Sequence, residues 1–578
     1  MFVKTHRRHC RLAAVQLSAR IATIFCLLSA GTALPAAHAQ GAAATPAPAP
    51  LAHPAYPTGI ISPLGETIAA LLADPTVSRA HWGIAVTTLA GTPIFGLDEA
   101  QLFRPASNNK IFTTATAMAL LGPGKTFDTR VLGKLYAATG TVNGNLTLIG
   151  GGDANFGAAD IPYVPPSQRT KDTNATTEPP ALADLAALAD QLVAKGVKRI
   201  DGDIVGDDTL FPYEPYAESW AADDQVWGYG APVSALSIDN NQLKLTVAPG
   251  AVTGSPGHQT VNAATVQLEQ NGVPYYTVQA QVQTSAAGTH SDGVQVERLP
   301  GSRVIRVYGS LAADAYPDVE YLAIADPADY AAMALRSMLE QRGIVVTGKA
   351  RAEHWPQSNA KSYISELLTP VPCDAAIIAG GTCVEDCLAK PASSAPLLAS
   401  HTSAPLAEDV VLTNKVSQNL HAELFLHNLG RFASCGSGSI LDGARLIRAN
   451  LLHAGLDPND FTFYDGSGLS EHDLVAPRAM ATFLAFAAKQ PWFPEWKASL
   501  PEAGEDGGLD TRFPNPPLKD HLFAKPGTLG ETHALSGYLD AASGRPIIFS
   551  IFVDTHTPTT HADRVTMDKI VEAIAAAE

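Results

Sequence analysis

Cysteine is scarce in this chain: six residues in 578, two of them within the first 39 positions. That excludes a scaffold built on disulfides and leaves a fold that hydrophobic cores must hold. Basic side chains are also in deficit, 39 Lys and Arg against 56 Asp and Glu, for a formal net charge of −17. A chain this acidic, without a basic cluster, is unsuited to nucleic acid or to an anionic membrane surface. No G-x-S-x-G elbow and no H-E-x-x-H helix occurs, which removes two common hydrolase designs. What is abundant is core material: 46% hydrophobic against 16% charged residues, enough for several cores.

The N-terminus reads as an export signal. Lys4, Arg7, Arg8, Arg11 and Arg20 lead an apolar stretch of 14 residues, Ile21 to Leu34, too short for the roughly 20 residues of a comfortable span. Ala37-His38-Ala39 then offers a small-x-small cleavage site. The expectation is a signal peptide over 1–39, an Ala/Pro-rich linker over 40–57, no stable membrane span, and an exported, periplasmic product. The leader carries five basic and no acidic side chains, so −17 less those five leaves −22 for the rest. Four cysteines remain, Cys373, Cys383, Cys387 and Cys435, and in an exported chain they favour one or two disulfides over a metal.

Ser107 and Lys110 stand three apart after Arg104-Pro105-Ala106, in the opening turn of an Ala/Thr-rich helix that stops at Leu121-Gly122-Pro123. That spacing puts hydroxyl and amine on one face. A neutral amine there can strip the serine's proton and make it a nucleophile, and the helix N-terminus favours the developing negative charge. Alone, S-x-x-K is a weak signal. It is followed by Ser417-Gln418-Asn419, spaced S-x-N and leading into an amphipathic helix that ends at Gly430, and by Lys525-Pro526-Gly527-Thr528 ahead of a strand-like run. The order S-x-x-K, S-x-N, K-x-G is the signature of penicillin-binding proteins and serine β-lactamases.

Further segments narrow the choice. Tyr464-Asp465-Gly466-Ser467-Gly468-Leu469-Ser470 with Pro477-Arg478, the run Ser499 to Gly507, Gly150-Gly151-Gly152-Asp153, and Tyr229-Gly230-Ala231-Pro232-Val233-Ser234-Ala235-Leu236-Ser237 all fit one group. Over most of residues 60–575 the chain resembles the D-alanyl-D-alanine carboxypeptidase/endopeptidases, the class C low-molecular-mass penicillin-binding proteins. The resemblance implies Ser107 as the acylated nucleophile and Lys110 as base. It also implies Ser417, between Lys110 and Lys525, as proton relay, Asn419 on the substrate backbone, and Gly527 and Thr528 on the strand that binds substrate. The oxyanion hole would be the N–H groups of Ser107 and Thr528. Expected partners are peptidoglycan peptides, ending in D-Ala-D-Ala or cross-linked, and β-lactam antibiotics; no cofactor and no metal is called for. A serine β-lactamase, or a wall-binding protein with weakened chemistry, are the alternatives. Pro526 stands where the family usually has Thr, which weakens recognition of the substrate's terminal carboxylate.

The motif positions set the organisation. Ser107 and Ser417 are too far apart for a compact β-lactamase, so something large is inserted between them. The expected class is α/β (α+β): a split transpeptidase domain of penicillin-binding-protein/β-lactamase type, with an antiparallel sheet flanked by helices. Its parts would be 58–127 and 406–578. One or two inserted α+β domains would occupy 128–352 (two, nested, by the resemblance), and a Cys-containing low-complexity connector 353–405. Two other signals are declined. Gly122-Pro123-Gly124-Lys125-Thr126 ends a helix instead of opening one, so it is no phosphate loop. Asp554, His556, His561 and Asp563 cluster before the last helix and could bind a cation, but with no matching partner set they are read as a solvated loop.

Overall fold

The computed structural model describes residues 62–578 except 159–160, 170–181, 256–257, 290, 292, 357–362, 370–371, 381–394, 434–435 and 558–559. The expected leader and linker, and the disulfide expectation, lie outside the described residues. Ser62 accepts the Gly65 N–H at 3.1 Å and Pro63 fills the first turn, so α1 (Pro63–Leu72) starts as N-cap chemistry dictates. The hairpin β1 (His81–Thr88) and β2 (Pro93–Leu97) follows, then a 3-10 turn at Ala106–Asn108 that runs into α2 (Asn109–Leu120). The later part of the chain supplies α3 (Leu406–Val416), α4 (Asn419–Asn428), α5 (Pro477–Ala487), β3 (Leu522–Leu529), β4 (Thr532–Asp540), β5 (Pro546–Asp554) and α6 (Ala562–Ala577).

These strands form one antiparallel sheet in the order β2-β1-β5-β4-β3, with Trp82 opposite Val553, so the two ends of the sequence share a single ladder. Both faces are covered, which is why β5 is buried from Ile547 to Val553 and reads as an apolar run without alternation. Ile68 of α1 and Ile570 of α6 pack with Leu535 and Ile551 on one face. Phe112, Leu424, Phe483 and Phe552 build the core on the other. Phe112 meets Phe463 and Phe483 at ring centroid distances of 5.3 and 5.0 Å.

α2 and α4 run through the middle of this second layer. α2 is buried from Asn109 to Met118, and α4 from Leu420 to Asn428. The amphipathic pattern expected after Asn419 is therefore corrected: the helix has no solvated face, because packing closes around it. Polar residues on it, such as Glu423 and His421, are spent on internal hydrogen bonds.

Between α2 and α3 lies a separate core containing Leu148, Leu188, Ile200, Leu245 and Tyr330. A five-stranded sheet there joins residues 350–353, 204–207, 146–149, 128–132 and 397–402 in that order. Two three-stranded sheets fall within 242–323, between two adjacent strands of that five-stranded sheet in sequence. The stretch expected to be a connector carries two short helices, Tyr363–Leu367 and Pro372–Ile378, and the edge strand Leu397–Thr402.

Three successive glycines pack tightly where the interposed region meets the helical layer, the third against α4 and the first two within the interposed region. A Cβ on Gly150 would lie 2.2 Å from the Ala235 carbonyl oxygen, on Gly151 2.2 Å from that of Asp128, and on Gly152 2.5 Å from Asn428 Oδ1. Asn428 Nδ2 donates to the Gly152 carbonyl at 3.0 Å, tying α4 to this turn. The G-G-G-D run is a close-approach turn, with Gly152 at φ +78°.

Candidate active site

Ser107 sits in a strained turn. Ala106 has φ +46°, rare for a residue with a side chain, and a Cβ on Gly468 would lie only 1.8 Å from the Ala106 carbonyl oxygen. Asn108 Nδ2 donates to the Lys525 carbonyl at 2.8 Å, clamping the turn to β3. One helical turn on, Lys110 Nζ lies 2.9 Å from Ser107 Oγ.

Lys110 is fully buried, with two further partners: Asn419 Oδ1 at 2.6 Å and the Ser467 carbonyl at 2.8 Å. Both of these accept only, so in the neutral amine they take its two N–H groups. The lone pair is then left for the hydroxyl of Ser107, which alone of the three has a hydrogen to give. Burial pushes the amine down from its ordinary 10.5 to about 8, against the opposing pull of the Asp465 and Glu423 carboxylates. The neutral base is thus accessible near physiological pH.

The floor under Lys110 is the 465–470 loop. Asp465 accepts the Gly468 and Ser470 N–H groups, each at 2.7 Å, and the Trp220 indole N–H at 2.9 Å. Glu423 on α4 accepts the Gly466 N–H at 3.1 Å and the Ser467 N–H at 2.8 Å, which aims the Ser467 carbonyl at the amine. Burial first, and the Asp465 charge second, push Glu423 up to about 8, while the N–H groups pull it back. Burial likewise holds Asp473 well above the usual carboxylate range.

Ser417 occupies a left-handed joint, φ +63°, between α3 and α4, so the S-x-N motif straddles two helices. Its hydroxyl accepts from Lys525 Nζ at 2.9 Å, and Lys525 also donates to the Pro526 carbonyl at 3.0 Å. Burial first and the Lys110 charge second hold the Lys525 amine well below the ordinary lysine range. Lys415, two residues before Ser417, forms a buried ion pair with Asp506 at 2.8 Å. Ser107, Ser417, Lys525, Gly527 and Thr528 open onto one cleft of about 450 Å³, walled on the far side by Tyr163 and Arg169 of the interposed region.

Strand β3 is the edge of its sheet at this cleft. Its Ala524 N–H donates outward to the Pro501 carbonyl at 3.0 Å, away from β4. N–H directions alternate along a strand and the register to β4 is unbroken, so the positions of Pro526 and Thr528 also face outward. Proline therefore takes no bond from the ladder. The Thr528 N–H points into the cleft, where an oxyanion donor belongs. Gly527 must be bare: a Cβ there would lie 2.9 Å from the Pro105 carbonyl oxygen and 3.1 Å from the Ser107 nitrogen.

All seven residues singled out in the sequence meet at this place, but Ser417, expected between the two lysines, is hydrogen-bonded to Lys525 and not to Lys110. Asn419 is more committed than expected, since its Nδ2 donates to the Tyr229 carbonyl at 2.9 Å. Glu423 and the carbonyls of Ser467 and Tyr229 were not anticipated; the 464–470 and 229–237 segments were visible, but a backbone carbonyl carries no residue-type signal. The group before the last helix is corrected. Asp554 pairs with Arg104 at 3.2 Å and His561 is exposed, yet His556 and Asp563 are buried against His533, which strand pairing delivers from the preceding hairpin.

The description D-Ala-D-Ala carboxypeptidase 3 (S13) family belongs to a family model matching residues 64–367 and 378–575. A D-alanyl-D-alanine carboxypeptidase from an Actinomadura species is 30% identical over 511 residues, covering 86% of this chain and 82% of its own length. The D-alanyl-D-alanine carboxypeptidase DacB of Haemophilus influenzae is 24% identical over 462 residues, 78% of this chain and 80% of its own. The crystal structure of penicillin binding protein 4 (dacB) from H. influenzae superposes with a TM-score of 0.66 at 22% identity, over 87% of this chain and 98% of that one, a likeness of fold. Among the described residues no helix is long and apolar enough to cross a membrane.

Proposed function

The chain belongs to the D-Ala-D-Ala carboxypeptidase (S13) family, and on that premise we propose that it works as a serine-type D,D-carboxypeptidase and D,D-endopeptidase on peptidoglycan stem peptides. The observation that carries the reading is the placement of Lys110: two fixed acceptors, Asn419 Oδ1 and the Ser467 carbonyl, turn its lone pair to Ser107. Ser107 Oγ attacks the carbonyl of the D-Ala-D-Ala bond while Lys110 takes its proton. The oxyanion is held by the N–H groups of Ser107 and Thr528; loss of one such donor typically costs about 10²–10³ in rate. Ser417, hydrogen-bonded to Lys525, returns a proton to the leaving amine, and water then releases the shortened peptide. Asn419 and the edge of β3 hold the peptide, and Lys525 and Thr528 attract its terminal carboxylate. A β-lactam acylates the same serine. We place the protein in the periplasm on the strength of its basic, apolar and small-residue leader.

Incubation with a fluorescent penicillin, together with digestion of defined monomeric and cross-linked muropeptides, tests this. The expected result is stable labelling, lost in Ser107→Ala, with release of D-alanine or cleavage of the cross-link. Rapid turnover of the penicillin points to a β-lactamase instead. Absent labelling with retained muropeptide binding means a non-catalytic wall binder.

A further inference from the structure

Behind the catalytic sheet, three side chains from three elements converge. His533 is the second residue of β4, His556 lies in the loop after β5, and Asp563 stands in the first turn of α6. One ring nitrogen of each histidine and one carboxylate oxygen of Asp563 lie within 4.8 Å of one another. The three residues are 8%, 8% and 1% exposed. His533 is hydrogen-bonded through Nδ1 to Asp563, and the two imidazoles stack at 4.7 Å with only 6° between their planes.

Two buried atoms of these residues have no hydrogen-bond partner, His556 Nε2 and Asp563 Oδ1, the latter 4.0 Å from His556 Nδ1. A buried polar atom left without a hydrogen bond costs about 1–3 kcal/mol, so each of these atoms favours a partner. The tautomer of His556 is set by its other nitrogen. Nδ1 lies 3.1 Å from the Thr557 carbonyl, which only accepts, so the proton is on Nδ1 and Nε2 presents its lone pair. A ligating histidine held by a backbone carbonyl on its far nitrogen is the usual outer-shell arrangement of a metal site.

We infer that His533, His556 and Asp563 form a binding site for one zinc-class divalent cation, distinct from the acylation cleft. Two imidazoles and one carboxylate suit zinc and its borderline neighbours; calcium and magnesium prefer oxygen ligands throughout. With bonds of about 2.0–2.2 Å, tetrahedral ligand atoms stand about 3.3 Å apart. The cluster reaches that when the His556 ring, which sits in a loop, turns out of the stack to bring Nε2 towards Asp563, and when metal ligation replaces the His533–Asp563 hydrogen bond. A fourth position stays open to water. The ion would fasten the last helix to β4. Thr532, beside His533, donates to Asp554, which in turn accepts the backbone N–H of Arg104 at 3.3 Å, three residues before Ser107. The site is therefore structural, bracing the sheet from the side opposite the substrate.

The test is calorimetric titration of the chelator-stripped full-length protein with zinc chloride, with thermal unfolding followed with and without the metal and magnesium as control. The expected result is one zinc bound per chain at this site and an unfolding midpoint that rises with zinc but not with magnesium. In His556→Gln and Asp563→Asn, with far-ultraviolet circular dichroism unchanged, that binding weakens by at least the about 10–100-fold that outer-shell changes alone cost. No zinc-dependent shift in the native protein, or an equivalent retained unchanged in both variants (as cysteine binding elsewhere would give), overturns the proposal. Should a variant fail to fold, anomalous scattering at the zinc edge from crystals of the native protein decides. A peak between the three side chains supports the site; its absence, with a water bridging Nε2 and Oδ1, overturns it.

Discussion

Asn419 Oδ1 accepts a 2.6 Å hydrogen bond from Lys110 Nζ, joining residues 309 positions apart. The amide decides which direction remains free on the amine. Exchanging it for a carboxylate keeps the acceptor and adds a charge, which separates geometry from electrostatics. Asn419→Asp favours the ammonium form of Lys110, so acylation by a fluorescent penicillin at pH 7 is expected to fall by about 10- to 100-fold, with recovery at higher pH. An unchanged pH profile, or a rate that no alkalinity restores, contradicts this account.

The native protein should show the titration itself. Burial brings Lys110 from 10.5 to about 8, and only its neutral form accepts the proton of Ser107. The acylation rate is therefore expected to rise about tenfold per pH unit below that value and to level off above it. A flat profile between pH 6 and 9 would remove Lys110 from the role of base.

Glu423 bears on the site through the backbone it holds. Glu423→Ala leaves the Gly466 and Ser467 N–H groups buried and unpaired, at about 1–3 kcal/mol each, and releases the carbonyl that orients Lys110. Denaturant unfolding should register that loss, and acylation should fall further than the stability change explains. Glu423→Gln, which retains an acceptor, is expected to recover part of both.

Pro526 is the family departure most open to test. Its missing N–H lies on the outer edge of β3, so Pro526→Thr should leave the sheet intact, costing at most about 0.4–1 kcal/mol through the freer unfolded chain. The added hydroxyl should lower KM for peptides with a free terminal carboxylate and leave kcat little changed. A loss of acylation in this variant would contradict the role assigned to position 526.

The Lys415–Asp506 pair is buried beside the Ser417 joint. Asp506→Ala strands the ammonium and is expected to destabilise the protein by about 3–5 kcal/mol in urea unfolding. The double variant with Lys415→Met should recover much of that.

The convergence of the site was legible where it resides in side chains. Ser107, Lys110, Ser417, Asn419 and Lys525 announce themselves by type and spacing, and the distance from 107 to 417 announces an interruption. The rest was hidden for physical reasons. The Ser467 and Tyr229 carbonyls contribute atoms that every residue possesses. Glu423 reads as the polar side of a helix until packing removes that helix from water. His533 stands well upstream of His556 in sequence, and only the β4–β5 ladder brings them together. Periodicity reports which face is wet, not which neighbours a strand acquires.

The glycine turn at 150–152 touches neither the nucleophile nor the cleft, yet Gly150 and Gly151 press on main chain and Gly152 on the side chains of Asn428 and Phe211. A saturating substitution survey should find these positions almost as intolerant as the nucleophile itself, though for want of room instead of chemistry. Intolerance along this sequence is therefore no guide to nearness to the reaction: here it marks a turn with no room for a side chain, tied through Asn428 to α4.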